Sequence, residues 1–180
     1  MGQGRIYNAV KKQDLNLLSS YLEKNIDREE EYECTALHYA CREGNLEIID
    51  FLLKNGANTN KKNSYATQYP LFEAINSKKV ELHLPMIKRL IEHGAKINSV
   101  DSFGNTLLHH ATEYGNKALV TFLIDSKIDI NKTERHDKDS ALHYACFKKN
   151  RELFSQLVEA GAEREALNIN GKRAEDYLYP

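Results

Sequence analysis

The sequence predicts an all-α solenoid of helix–turn–helix units, and three observations carry that prediction. A six-residue motif recurs four times at a near-constant period. Each copy is followed by a second apolar stripe at helical spacing. Glycine stands just beyond three of those stripes, where helices commonly end.

The motif copies are Thr35-Ala36-Leu37-His38-Tyr39-Ala40, Tyr69-Pro70-Leu71-Phe72-Glu73-Ala74, Thr106-Leu107-Leu108-His109-His110-Ala111 and Ser140-Ala141-Leu142-His143-Tyr144-Ala145. Their leucines Leu37, Leu71, Leu108 and Leu142 stand 34, 37 and 34 residues apart. The second helices are predicted over Leu46–Leu53, Leu84–Ile91, Leu119–Ile124 and Leu153–Val158. In the last, Leu153, Phe154, Leu157 and Val158 fall on one helical stripe rather than alternating as in a strand. Gly56-Ala57, Gly94-Ala95 and Gly161-Ala162 supply helix ends. One helix pair cannot bury its stripe alone, so neighbours must stack into a row.

These residues resemble the ankyrin repeat, whose unit of about 33 residues carries a T-P-L-H-x-A motif. The best copy runs from Asp101-Ser102-Phe103-Gly104-Asn105-Thr106 through His109 to Gly115-Asn116. The resemblance covers nearly the whole chain and divides it into a capping repeat over 5–31, repeats over 32–64, 65–100, 101–134 and 135–166, and a closing half repeat over 167–180. It implies hairpin-like fingers between units, a concave face, a motif histidine bonded to turn backbone and a threonine that caps its helix. The third unit is longer by about four residues around Lys78, Lys79, Val80 and Glu81, expected as a helix-to-helix loop extension. The charged stretch Lys132–Asp139 is expected as a solvated turn. Glu33, Thr67 and Lys138 stand where the family usually has the finger glycine, and none takes a positive φ as cheaply.

Composition narrows the function. The 180 residues hold 25 Lys+Arg and 26 Asp+Glu, a net charge of −1 without the basic excess of a generic nucleic-acid surface. No apolar run reaches the roughly 18 residues of a membrane span, and no secretory signal is visible. Three cysteines without close pairing fit a reducing compartment, so a cytoplasmic protein is expected. A monomer with no cofactor is expected as well. Cys41 and Cys146 occupy the same place in two repeats, on the order of 30 Å apart at roughly 10 Å per helix step, which forbids a shared zinc or disulfide. His38, His109 and His143 are spread likewise. Cys34 is expected on a finger, exposed among Glu30, Glu31 and Glu33, where a thiolate is disfavoured. No phosphate loop, nucleophile elbow or H-E-x-x-H motif is present, so no catalytic or metal site is expected.

Function then lives in a surface. Carried over by motif, the family's variable places include Tyr32, Arg42, Glu43, Tyr65, Ser102, Phe103, Asn105, Glu113, Tyr114, Phe147 and Lys148, expected to bind a partner protein. Core packing does not require the aromatics there, and such residues are enriched at interface cores. Glu30, Glu31, Glu33 and Glu43, offset by Arg42, suggest a partner with basic character at that end. The resemblance thus implies a non-enzymatic adaptor, scaffold or inhibitor. A second reading takes the abundant Lys, Asn and Ile, with Glu163-Arg164-Glu165 and Leu178, as marks of a bacterial effector that binds a protein in the host cytoplasm. A third is an enzyme whose site is assembled from several repeats.

Overall fold

The computed structural model describes residues 4–64 and 68–178, and the chain forms two compact units, Met1–Lys96 and Ile97–Pro180. The first unit contains α1 (Arg5–Lys11), α2 (Leu15–Leu22), α3 (Ala36–Glu43), α4 (Leu46–Lys54), α5 (Pro70–Ile75) and α6 (His83–Glu92), with α1 packed on α2, α3 on α4 and α5 on α6. The second contains α7 (Leu107–Glu113), α8 (Lys117–Asp125), α9 (Ala141–Phe147) and α10 (Arg151–Glu159), then a 3-10 turn at Ala174–Tyr177. Both are all-helical, and each buries the predicted stripes: Leu37, Ile48, Leu52, Leu71, Met86 and Leu90 in the first; Leu108, Leu119, Leu123, Leu142, Leu153 and Leu157 in the second.

Local chemistry explains where the helices begin. Asn45, Asn116 and Asn150 each accept a hydrogen bond from the backbone N–H three residues on, as does Asp14, satisfying one of the open donors at the helix start. The motif makes a reciprocal cap. His38 Nδ1 accepts from the Thr35 backbone N–H (3.1 Å) and lies 2.9 Å from the Thr35 hydroxyl, while Nε2 donates to the Gln68 carbonyl (3.3 Å). His109 does the same with Thr106 and Asp139, and His143 with Ser140 and Lys172. A carbonyl can only accept, so these imidazoles carry their proton on Nε2. Each therefore ties a helix start to the following finger.

The extension before Pro85 folds as a 3-10 turn, Val80–Leu82, running directly into α6, with Lys79 Nζ 3.4 Å from the Gly44 carbonyl. Pro85 falls in the first turn of α6, where its missing N–H costs nothing.

The fingers hold their shape without the usual glycines. Glu33 and Lys138 adopt the left-handed conformation directly, at φ 57° and 59°, and so does Tyr32 at 59°. Thr67 lies outside the described residues. The stretch expected to be a solvated turn is only partly so, because Glu134 and Asp139 are buried. Glu134 accepts from the backbone N–H groups of His136 (2.6 Å), Asp137 (2.6 Å) and Asp139 (3.2 Å). Burial alone would raise its carboxyl, but these N–H groups hold it below the usual carboxylate range. Asp101 and Asn168 curl their own fingers the same way. Adjacent fingers join through backbone, Ser64 N–H to the Tyr32 carbonyl in the first unit, and Arg135 to Phe103 and Ile169 to Asp137 in the second.

One finger position tests this account. Gly104 sits at φ 88°, and a Cβ there would lie 2.9 Å from the Arg135 backbone nitrogen. Gly104→Ala is therefore expected to cost about 2 kcal/mol, from left-handed strain plus the lost finger–finger bond. Lys138→Gly, at a matching place, should instead gain a few tenths, since relief of strain is partly offset by greater unfolded-chain entropy. Urea unfolding of both variants checks the pair.

Candidate functional site

In the first unit, α1, the finger between α2 and α3, and α3 itself enclose an open cleft of about 500 Å3 lined by Tyr7, Glu31, Tyr32, Cys34, Tyr39 and Arg42. Tyr7 and Tyr39 meet edge to face, ring centroids 5.3 Å apart. Glu30, near this end, turns its carboxylate onto the α1 N-terminus, accepting from Ile6 N–H (2.8 Å) and Tyr7 N–H (3.1 Å). Tyr32 stands at the rim, 60% exposed.

Cys34 is a correction: expected exposed, it is buried at the cleft's floor, only 2% accessible. Its thiol is raised above the ordinary value chiefly by burial, with Arg42 opposing, rather than by the finger's acids. Burial also pushes Cys146 up to about 12, so neither thiol is activated.

Arg42, expected to contact a partner, is anchored within its own unit. Its Nε and Nη2 donate to the two carboxylate oxygens of Glu73 at 2.9 and 2.8 Å. Glu73 is buried on α5, where other motif copies have Tyr39, His110 and Tyr144, and it also accepts from Asn63 Nδ2 (2.9 Å). Asn63 Oδ1 accepts in turn from Gln68 N–H. The guanidinium thus links α3, α5 and a finger, its proton held more tightly by this fork. Glu43 is half-buried and accepts from the Tyr7 hydroxyl at 3.3 Å. Tyr65 lies outside the described residues.

The second unit exposes its own aromatic set. Phe103 is 56% exposed at a finger tip, Tyr114 47% just past α7, and Phe147 44% at the end of α9. Phe147 leans on Tyr177, centroids 4.2 Å apart, and Phe103 lies 6.0 Å from the His136 ring. The half-buried Tyr144 donates to Asn105 Oδ1 (3.1 Å), fixing the finger against α9. Ser102 gives its carbonyl to Arg135 Nη1 (3.3 Å). Glu113 and Lys148 form an exposed ion pair at 3.4 Å, worth little to stability. Tyr7 and Tyr177 fall in the predicted capping segments 5–31 and 167–180, and sequence reasoning missed both as members of these surfaces. Their signal, an aromatic beside the capping residues, carries no family motif.

Among the described residues, no group of three or more His, Cys, Asp or Glu is arranged to hold a metal ion. Among them, too, no helix is long and apolar enough to cross a membrane.

Comparison with known proteins places this geometry. The family model of ankyrin repeats (three copies) matches residues 6–101 and 71–168. A Caenorhabditis elegans protein, the transient receptor potential cation channel subfamily A member 1 homolog, is 34% identical over 125 residues, covering 69% of this chain and 10% of the relative. Palmitoyltransferase AKR1 of Kluyveromyces lactis is 29% identical over 168 residues, covering 88% of this chain and 22% of the relative. The chain thus spans under a quarter of the length of these curated relatives. A solved structure of a predatory endopeptidase from Bdellovibrio bacteriovorus in complex with an immunity protein superposes with a TM-score of 0.83 at 23% identity, covering 99% of this chain and 92% of that one, a likeness of fold alone. With the repeated caps, the fingers and a family match across most of its length, the chain belongs to the ankyrin-repeat family.

Proposed function

We propose that the chain is a non-enzymatic protein-interaction module, an adaptor, scaffold or inhibitor, that binds a partner protein through side chains on its fingers and first helices. The single observation that carries this reading is the exposure of Phe103, Tyr114 and Phe147 on the second unit. Exposed large aromatics cost solubility and add nothing to the helix cores, whereas such residues supply much of the energy of interface hot spots. Ser102 and Asn105 position the Phe103 finger, and the Glu113–Lys148 pair borders it and contributes to selectivity. The fingers are curled by buried carboxylates and bonded to one another, so little ordering cost accompanies binding. The first unit carries its own surface, to which Tyr32 and Glu43 belong and which Arg42 positions; Tyr65 is assigned to that first-unit surface from the family pattern.

The experiment is retention of partner proteins from a lysate by the immobilised chain and by a Phe103→Ala, Tyr114→Ala, Phe147→Ala variant. The variant is expected to lose at least tenfold in retention of any specific partner, at about 1–2 kcal/mol per truncated anchor, with far-UV circular dichroism and melting unchanged. Equal retention by a folded variant overturns the assignment of this surface.

A further inference from the structure

The cleft of the first unit has a recognition chemistry that its aromatic walls and its charges define together. Its volume of about 500 Å3 lies in the range of ligand clefts (about 300–1,000 Å3). Tyr7, Tyr32 and Tyr39 line it, and two of these rings already sit beside cations of the chain itself. Lys11 Nζ lies 5.7 Å from the Tyr7 centroid, and the Arg42 guanidinium carbon 5.8 Å from that of Tyr39. Tyrosine faces attract cations through their quadrupole.

The sign of the remaining charge follows from the pairing. Among the described residues of the lining Arg42 is the basic one, and its charge is matched by Glu73 through two hydrogen bonds; Lys11 stands outside the lining, at the Tyr7 ring. Glu31, the acid in the lining, has no hydrogen bond or ion pair through its carboxylate among the described residues. Exposed Glu33 follows on the same finger, and Glu43 is held at Tyr7. An acidic occupant would face these carboxylates. A purely apolar one would strip water from Glu31 with nothing in return.

We infer that this cleft receives one lysine or arginine side chain of a partner protein, its cation set between the tyrosine rings and the Glu31 carboxylate. The inference rests on the interaction-module reading and gives that partner's chemistry at one place. Arg42 and Cys34 form the cleft's base rather than its recognition edge.

The test titrates the full chain, labelled with nitrogen-15, with blocked tripeptides Gly-Lys-Gly, Gly-Arg-Gly and Gly-Glu-Gly and follows amide shifts by NMR. The two basic peptides are expected to saturate with dissociation constants on the order of millimolar, with shifts confined to residues around Tyr7, Tyr32 and Tyr39. Glu31→Gln, whose side chain supports no other group, should weaken them about three- to fivefold, and Tyr32→Ala about fivefold. Equal shifts from the glutamate peptide, shifts centred elsewhere, or no change in the folded Glu31→Gln variant would overturn the inference. These outcomes are independent of the second-unit alanine variant. Loss of a captured partner in that variant, with no peptide binding here, leaves the interaction module standing and removes the basic-residue site alone.

Discussion

Arg42→Ala is expected to lower stability by about 2–3 kcal/mol, although the residue lies on the side of its helix assigned to partner binding. The reason is the group left behind. Glu73 is 4% exposed, and without the fork the Asn63 amide is the one hydrogen-bond donor left to its buried carboxylate among the described residues. Removing one partner of a buried pair typically costs about 3–5 kcal/mol, and the lower figure here reflects an Arg42 side chain that is itself 38% exposed. Urea unfolding of the single variant and of Arg42→Ala with Glu73→Leu checks the mechanism. An apolar residue in place of the carboxylate should restore most of the loss, because a well-packed apolar replacement of a buried pair is often neutral. If the double variant is no more stable than the single, the cost arises from lost packing of the arginine stem. Weakened partner binding in Arg42→Ala would then report a displaced surface and not a lost contact.

Acid should destabilise the protein from about pH 6.5 downward. Burial lowers the His109 pKa to about 4, against an ordinary value near 6.5, and His38 is shifted in the same direction by the same cause. The folded state resists the proton that the unfolded chain accepts. Stability is therefore full above about pH 6.5 and falls as pH drops toward 4, when the unfolded state binds more protons. At about 1.4 kcal/mol per unit, His109 alone accounts for roughly 3 kcal/mol over that window. Urea unfolding between about pH 7 and about pH 4.5 should show this slope. His109→Gln, which can still accept from Thr106 and donate to the Asp139 carbonyl, should flatten it by close to one proton while costing stability at neutral pH. An unchanged slope would place the acid sensitivity elsewhere.

The helices were legible because their signals are local. A leucine stripe, an asparagine N-cap and a glycine past the helix end act within about one turn, and α4, α8 and α10 begin within a residue or two of where periodicity predicts. The motif histidine was legible too, its second bond resting on the family resemblance. The candidate surface was legible in part: Tyr32, Phe103, Tyr114 and Phe147 are exposed as expected, since an aromatic outside the stripe has no core to enter. Cys34 was misread because a finger residue was assumed to face water, whereas its thiol turns inward to the Asn63 amide (3.6 Å), beside Arg42.

By itself, then, the sequence determined an all-α set of repeated helix pairs, where most helices start, and which apolar residues enter the core. The tertiary structure decided the fate of the charged residues. Arg42 forks onto Glu73, Glu134 turns inward to gather three backbone N–H groups, and Glu31 is left at a tyrosine-lined cleft. Periodicity cannot separate these cases, because each is a charged residue outside the apolar stripe. What separates them is whether folding brings an opposite charge or a set of open N–H groups within about 3 Å, and that depends on how a finger curls and which neighbouring repeat it meets.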